Sequence, residues 1–348
     1  MLRRHLTLIL ATRLLGCLLA LAALVQLLDL LDKAGDIIAH GGVWQLAPFI
    51  GLRAPSILAQ MLPLATLLGA VLTFQYLTRG AEVTAMQAAG LGLGDIMRLL
   101  LPVCVVIAAV QFTLQAEIAP RGDRALADWW AALIPADNPP PVPLWLLAHG
   151  DIAAIGHVSA DGAHLTGVMI VQRAASGDVT DRLDADRADY VNGHWVLSGV
   201  RVADFDALQT VTRPTMIWPR GPRPRNMTQL VRPVADLPLG QLIATLRGRW
   251  VGPRGPAYDQ TELCSLLAAL LDPWLMLLLA APVGFTPPRA AAAGTQAAVS
   301  VALGLGLLVA AGLLGALGAA GLLAPPLAGF AAPVLFGAIG LWRLRTHL

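Results

Sequence analysis

Ser159, Asp161 and His164 fall within six positions and are the side-chain types of a nucleophile, an orienting acid and a base. Nucleophilic catalysis needs the base within hydrogen-bond reach of the nucleophile, and nearness in sequence does not supply that. The stretch also lacks the Gly-x-Ser-x-Gly elbow, and no His-Glu-x-x-His metal motif occurs anywhere in the chain. Asp178, Asp181, Asp184, Asp186 and Asp189 lack the ligand spacing of a calcium loop and read as a polar loop and strand edge. Cys17, Cys104 and Cys264 each lie in or beside an apolar run, spaced for neither zinc nor a disulfide framework. The run Gly90-Leu91-Gly92-Leu93-Gly94 is rich in glycine but lacks the following Gly-Lys-Ser/Thr that would cradle a phosphate. Neither a catalytic site, a metal nor a cofactor is expected.

Two polar stretches offer binding rather than catalysis. Thr78 to Arg98 reads TRGAEVTAMQAAGLGLGDIMR. Glu82 to Ala89 can form a short helix with Gly90 as its stop. On it Val83, Met86 and Gln87 share a plausible docking face beside Glu82. A helix there could receive force from a bound ATPase; a compact interfacial loop explains the same residues. Asp29, Asp32, Lys33 and Asp36 close the first apolar run. Charge beside a membrane is costly unless solvated or paired, so these line a polar portal or simply solvate a helix end. Glu117 and Arg121 are spaced to pair across one helical turn.

The elements that must position these residues are membrane helices. Of 348 residues, 56% are hydrophobic and 13% charged, against about 45–50% and about 25% in soluble domains. Mean hydropathy is +0.66. About 20 apolar residues cross the bilayer, and six stretches qualify: 8–28, 57–76, 96–114, 263–283, 296–317 and 325–341. The first is too long for a signal-peptide core and lacks a cleavage site, so it reads as a retained helix. Pro273 and Pro282 predict a kink or broken turn in the fourth. Arg3, Arg4, Arg13, Arg79, Arg98, Arg289, Arg343 and Arg345 all fall on one side of this topology. The positive-inside rule makes that side cytoplasmic, with both termini. Gly304, Gly306, Gly312, Gly315, Gly318 and Gly321 suit close helix approach, either within the chain or against a partner.

Of 46 charges, 29 lie between Pro120 and Glu262, and they nearly cancel: 15 acidic and 14 basic. That balance marks a water-exposed insert and excludes the basic stripe of a nucleic-acid binder. Stretches 164–171, 188–195, 200–205 and 208–212 read as strands, with Asn192-Gly193 as a hairpin turn. No amphipathic helices alternate with them, so an antiparallel sandwich or jelly-roll is expected. Leu237–Trp250 reads as a short helix, and Arg247, Arg249 and Arg254 either meet lipid headgroups or solvate a junction. The expected fold class is a membrane α-helical protein of six transmembrane helices with an inserted all-β jelly-roll-like domain. Its divisions are 1–120 (three helices and the loop 78–98), 121–260 (the insert, β core about 137–232) and 261–348 (three helices).

Several motifs in this order resemble the LptF/LptG permease family of the lipopolysaccharide export ABC transporter. They are Leu28-Asp29-Leu30-Leu31-Asp32-Lys33-Ala34-Gly35, Leu62-Pro63-Leu64-Ala65, Leu68-Gly69-Ala70, the stretch from Arg79 to Gly90, and Glu117-Ile118-Ala119-Pro120. The resemblance covers essentially the whole chain, and the LptG branch is the closer. It implies a non-enzymatic permease subunit in the bacterial inner membrane, with the insert in the periplasm. It also implies an LptF-like permease partner, an LptB-like ATPase dimer that uses the ATP, an LptC-like bitopic protein, and lipopolysaccharide as cargo. By the same resemblance Glu82, Met86, Gln87 and Gly90 serve ATPase coupling, while Asp29, Asp32 and Lys33 lie near the lipid portal. The chain departs from the family where Gln26 and Asp32 stand at positions expected to be basic, and Thr261-Glu262-Leu263-Cys264 is less basic too. The alternatives are an envelope scaffold or lipid-binding membrane protein without transport, and a membrane-embedded hydrolase.

Overall fold

A computed structural model of the chain describes residues 2–80, 82–90, 92–134, 144–148, 151–159, 161–173, 179–204, 209–219, 221–224, 227, 237–247, 256–285 and 292–346. Two compact units are present. One comprises Met1–Asp128, Asp236–Leu242 and Gly255–Leu348; the other comprises Trp129–Ala235 and Ile243–Arg254.

Among the described residues six helical segments are long and apolar enough to cross a membrane: Arg4–Gly41, Val43–Arg79, Met97–Leu133, Pro256–Gly284, Gly294–Ala319 and Pro325–Arg345. Each coincides with one of the apolar runs read from sequence to within a residue or contains it, and the first three extend well beyond them. Helix α1 (Leu2–Gly41) has 40 residues, about 60 Å at 1.5 Å per residue, twice the roughly 30 Å hydrocarbon thickness. The portal residues therefore lie on a continuing helix rather than in a loop. Helix α2 (Leu46–Arg79) contains Pro55 and Pro63. Thr66 and Thr73 donate back to the Leu62 and Gly69 carbonyls at 2.8 and 2.7 Å, satisfying buried hydroxyls within the helix.

After the short helix α3 (Glu82–Ala88), the third span runs through α4 (Leu93–Thr113), a π turn at Leu114–Ile118 and α5 (Ala119–Leu133). Glu117 pairs with Arg121 across that turn, as spacing predicted. The fourth span breaks where proline predicted it. Its first part, Pro256–Ala268, passes through a 3-10 turn at Ala269–Leu271 into Asp272–Ala280, with Pro273 in the opening turn of the second part. The last two spans are Ala292–Ala319 and Pro325–Thr346. One apolar core joins Leu6 and Leu10 of α1, Leu67, Val71 and Phe74 of α2, and Met276, Leu277 and Leu279 of the fourth span. Cys17, Cys104 and Cys264 are free thiols.

The other unit carries one antiparallel sheet of six strands in simple sequence order, β1 (Leu144–Ala148), β2 (Asp151–Val158), β3 (His164–Arg173), β4 (Val179–Val191), β5 (His194–Asp204) and β6 (Gln209–Trp218). The expected inserted antiparallel sheet is present, and its strand order is that of a meander. The stretch 188–195 is not one strand: Asn192 (φ 51) and Gly193 (φ 87) turn the chain between Val191 and its partner His194. Positive φ at both central residues is what a type I′ hairpin requires.

A crease runs across four strands. Register places Gly156 opposite Gly167, Gly167 opposite Asp186, and Asp186 opposite Gly199. On one side of this row Ile155, Val168, Ala185 and Val200 are buried; on the other Val158, Leu165, Ala188 and Leu197 are buried. These two rows are three residues apart along each strand, so strict alternation would put them on opposite faces. Both enter one core with Trp195 and Trp218. Gly167 and Gly199 reset the alternation with φ of 63 and 67, a conformation costing other residues about 1–2 kcal/mol.

Candidate functional site

The short helix α3 follows the end of α2 and begins on Glu82. Gly90, with φ 82, ends it as predicted, and the Ala89 N–H donates to the Ala85 carbonyl at 3.0 Å. The next helix is capped by its own third residue: Asp95 accepts the Gly92 N–H at 3.1 Å. Thr78, at the end of α2, donates to the Gly284 carbonyl of the fourth span at 3.0 Å, which ties the root of α3 to that span.

The face expected to dock is partly turned inward. Val83 and Met86 are 4% and 5% exposed and belong to the same core as Leu6, Leu10 and Leu77. Met86 is thus buried in the core on which α3 sits. The Gln87 side chain lies outside the described residues. Ala85, Ala88, Ala89 and Gly90 are exposed. Glu82 is half-buried beside His5, whose Nε2 lies 3.3 Å from its carboxylate. No sequence pattern linked His5 to this loop.

The three portal residues separate. Asp29 accepts a hydrogen bond from Arg53 Nε at 2.9 Å, and Arg53 also reaches Asp123 at 3.6 Å. Ser56 donates to Asp123 at 2.6 Å. A chain of polar contacts thus fastens the first span to the second and third, and sequence spacing could not reveal it. Asp32 and Lys33 pair with each other at 2.9 Å on the exposed surface.

A cavity of about 370 Å³ lies within the helical unit, lined in part by Ser56, Gln115, Asp123, Glu262, Ser265 and Asp272. Among the described residues its lining includes three carboxylates and neither lysine nor arginine, while Arg53 pairs with the lining residue Asp123. Asp272 accepts a hydrogen bond from the buried Gln111 at 2.8 Å. At the end of the last span Arg343 is buried and donates to Gln296 at 2.7 Å and Ser300 at 3.4 Å on the fifth.

In the sheet unit the three catalytic residue types do come together, but as a turn. Ser159 donates to Asp161 and accepts the His164 backbone N–H at 3.0 Å. The His164 ring instead meets Asp189 at 2.7 Å. That contact raises the His164 pKa, helped by Asp161, while the Ser159 hydroxyl and the Ala163 N–H lower that of Asp161. The ring bonds Asp189 and the Ser159 hydroxyl bonds Asp161, so the cluster reads as the closure of the β2–β3 turn rather than as a base poised on a nucleophile. Arg249 and Arg254 lie outside the described residues; Arg247 is exposed. Among the described residues no group of three or more His, Cys, Asp or Glu is placed to hold a metal.

A search of curated proteins returned no match. The family described as "Lipopolysaccharide export system permease LptF/LptG" matches residues 4–346. That match takes in all six spans and the inserted sheet. The protein is a multi-pass helical membrane protein with a large β-sheet insert outside the membrane, and it belongs to the LptF/LptG permease family, a transporter family rather than an enzyme family.

Proposed function

We propose that this chain is the LptG-like permease subunit of an ATP-driven complex that extracts lipopolysaccharide from the inner membrane. The observation that carries the reading is the family match across residues 4–346. Three plus three spans around an antiparallel insert support it. Both termini lie in the cytoplasm and the insert in the periplasm, in keeping with the arginines at the chain ends and after the second span. The partners are an LptF-like permease, an LptB-like ATPase dimer and an LptC-like bitopic protein. The ATPase dimer uses the ATP, and this chain contributes movement.

In this reading α3 is the coupling helix. Val83 and Met86 root it in the helical core, so displacement of α3 moves the spans beneath it. Glu82 and the small exposed surface of Ala85, Ala88 and Gly90 meet the ATPase, with Gln87 beside them. Asp32 and Lys33 stand at the lipid portal, and Asp29 acts there by holding α1 through Arg53. Movement of the spans narrows the space open to the lipid and drives it outward toward a periplasmic bridge.

Charge reversal at Glu82 tests the assignment. In the purified complex, Glu82→Arg is expected to weaken ATPase association at least about tenfold, a loss of about 1.4 kcal/mol. ATP use should no longer respond to lipopolysaccharide. Unchanged association and coupling would remove α3 from the mechanism.

A further inference from the structure

His5 lies in the first turns of α1, and Glu82 opens α3. Their side chains are 53% and 35% exposed with 3.3 Å between imidazole and carboxylate. Beneath this pair, Leu6 (0% exposed) and Leu10 (1%) share a core with Val83 and Met86. Leu6 and Leu10 are four apart on one helix, and Glu82 and Met86 are four apart on the other, so each pair occupies one face. The start of α1 and the start of α3 therefore meet through a polar contact, beside an apolar core that both share with Phe74 and Leu77 of α2. At the far part of α1, Asp29 is held by Arg53. One unbroken helix thus links the seat of α3 to the polar chain beside the portal.

We infer that His5 is a positioning residue for the Glu82 carboxylate, and that α1 itself receives movement from α3 through this contact. The inference rests on the proposed coupling role of α3 and deepens it. The imidazole restricts the Glu82 carboxylate to the orientation in which an ATPase meets it. When α3 shifts, His5, Leu6 and Leu10 shift with it. α1 then carries the displacement toward Asp29 alongside α2, on which α3 also rests. Glu82 accordingly has two tasks, one toward this chain and one toward the ATPase. Removing His5 loosens the first and leaves the second group in place.

The test uses the full complex in proteoliposomes containing lipopolysaccharide, reading ATP hydrolysed per lipid extracted. His5→Ala is expected to raise that ratio about five-fold while the ATPase remains assembled, the scale of one half-exposed polar contact. His5→Lys, which puts an N–H donor back beside the Glu82 carboxylate, is expected to bring the ratio back to within about two-fold of the parent. In a double-mutant cycle, His5→Ala is expected to add nothing to Glu82→Gln. An unchanged ratio in His5→Ala, failure of His5→Lys to rescue, or full additivity with Glu82→Gln would each overturn the inference. If His5→Ala does not assemble, His5→Gln carries the test, with an increase in the ratio expected and no change refuting it. A silent His5→Ala beside a defective Glu82→Gln removes this inference alone. A silent Glu82→Gln removes the coupling role of α3 and His5 with it.

Discussion

Gly69→Val is expected to separate the first span from the second and to abolish ATP-coupled transport. A side-chain carbon at Gly69 would stand 2.7 Å from the Leu14 Cα and 2.9 Å from its backbone nitrogen. Those atoms belong to a helix backbone and cannot swing aside, so the helices must part. Overpacking of this kind costs about 1–3 kcal/mol, and small residues are what allow such approach in membranes. The loss does not stop at residue 69. Leu14 shares a small cluster with Leu62 and Ile107, and α1 is also held by Leu6, Leu10, the His5–Glu82 contact, Arg13 over the Tyr76 ring and the Asp29–Arg53 pair. Thermal unfolding of the purified chain should show a clear drop in Tm for Gly69→Val and a smaller one for Gly69→Ala. Gly16→Ala, on α1 with nothing within 4 Å of the added carbon, should leave Tm unchanged or slightly raised.

The second large effect belongs to the sheet. Gly199→Val is expected to undo the crease that gives the insert a single core. Gly199 has φ 67, and an added carbon would lie 2.6 Å from the Asp186 carboxylate. The carboxylate can turn away; the backbone conformation cannot be relieved so easily. Positive φ costs a non-glycine residue about 1–2 kcal/mol, and a β-branched residue sits at the unfavourable end. If the chain relaxes to ordinary alternation instead, Val200 and Leu197 can no longer both face the core they now share. Hydrogen exchange on the full-length chain should show β3, β4 and β5 losing about 30-fold in protection, equivalent to about 2 kcal/mol. Protection in the membrane spans should be unaffected. Uniform protection across the sheet in Gly199→Val would contradict the role given to the crease.

The features legible in sequence were those with local causes. Long apolar runs marked all six spans, because crossing hydrocarbon demands them. Pro273 marked the break in the fourth span, since a proline leaves a backbone carbonyl without its donor. Asn192-Gly193 marked a turn and Gly90 a helix stop, because few other residues adopt positive φ readily. The helical continuation of α1 from Asp29 to Gly41 was not legible, for its polar exposed residues carry no hydropathy signal. The crease was equally hidden: it depends on Gly156, Gly167 and Gly199 falling in one row, and only strand register aligns them.

At the candidate site the loop was found but not its inward side. Met86 and Gln87 are adjacent in sequence, and helical spacing alone does not say which face of α3 meets the core. Burial of Val83 and Met86 depends on a core drawn from distant parts of the chain, including Leu6, Leu10, Leu77, Leu100 and Val283. Asp29 met the same limit, since its partner Arg53 lies on another helix. Long-range pairs leave no trace in local composition, and they account for most of what the structure adds.

The central claim is that this chain converts ATP use by a separate ATPase into extraction of lipopolysaccharide. Transfer of labelled lipopolysaccharide out of proteoliposomes to a periplasmic acceptor measures it most directly. The account predicts ATP-dependent release only when this chain, its permease partner and the ATPase are all present, and none with Glu82→Arg. Release by this chain alone without ATP, or full release with Glu82→Arg, would contradict it.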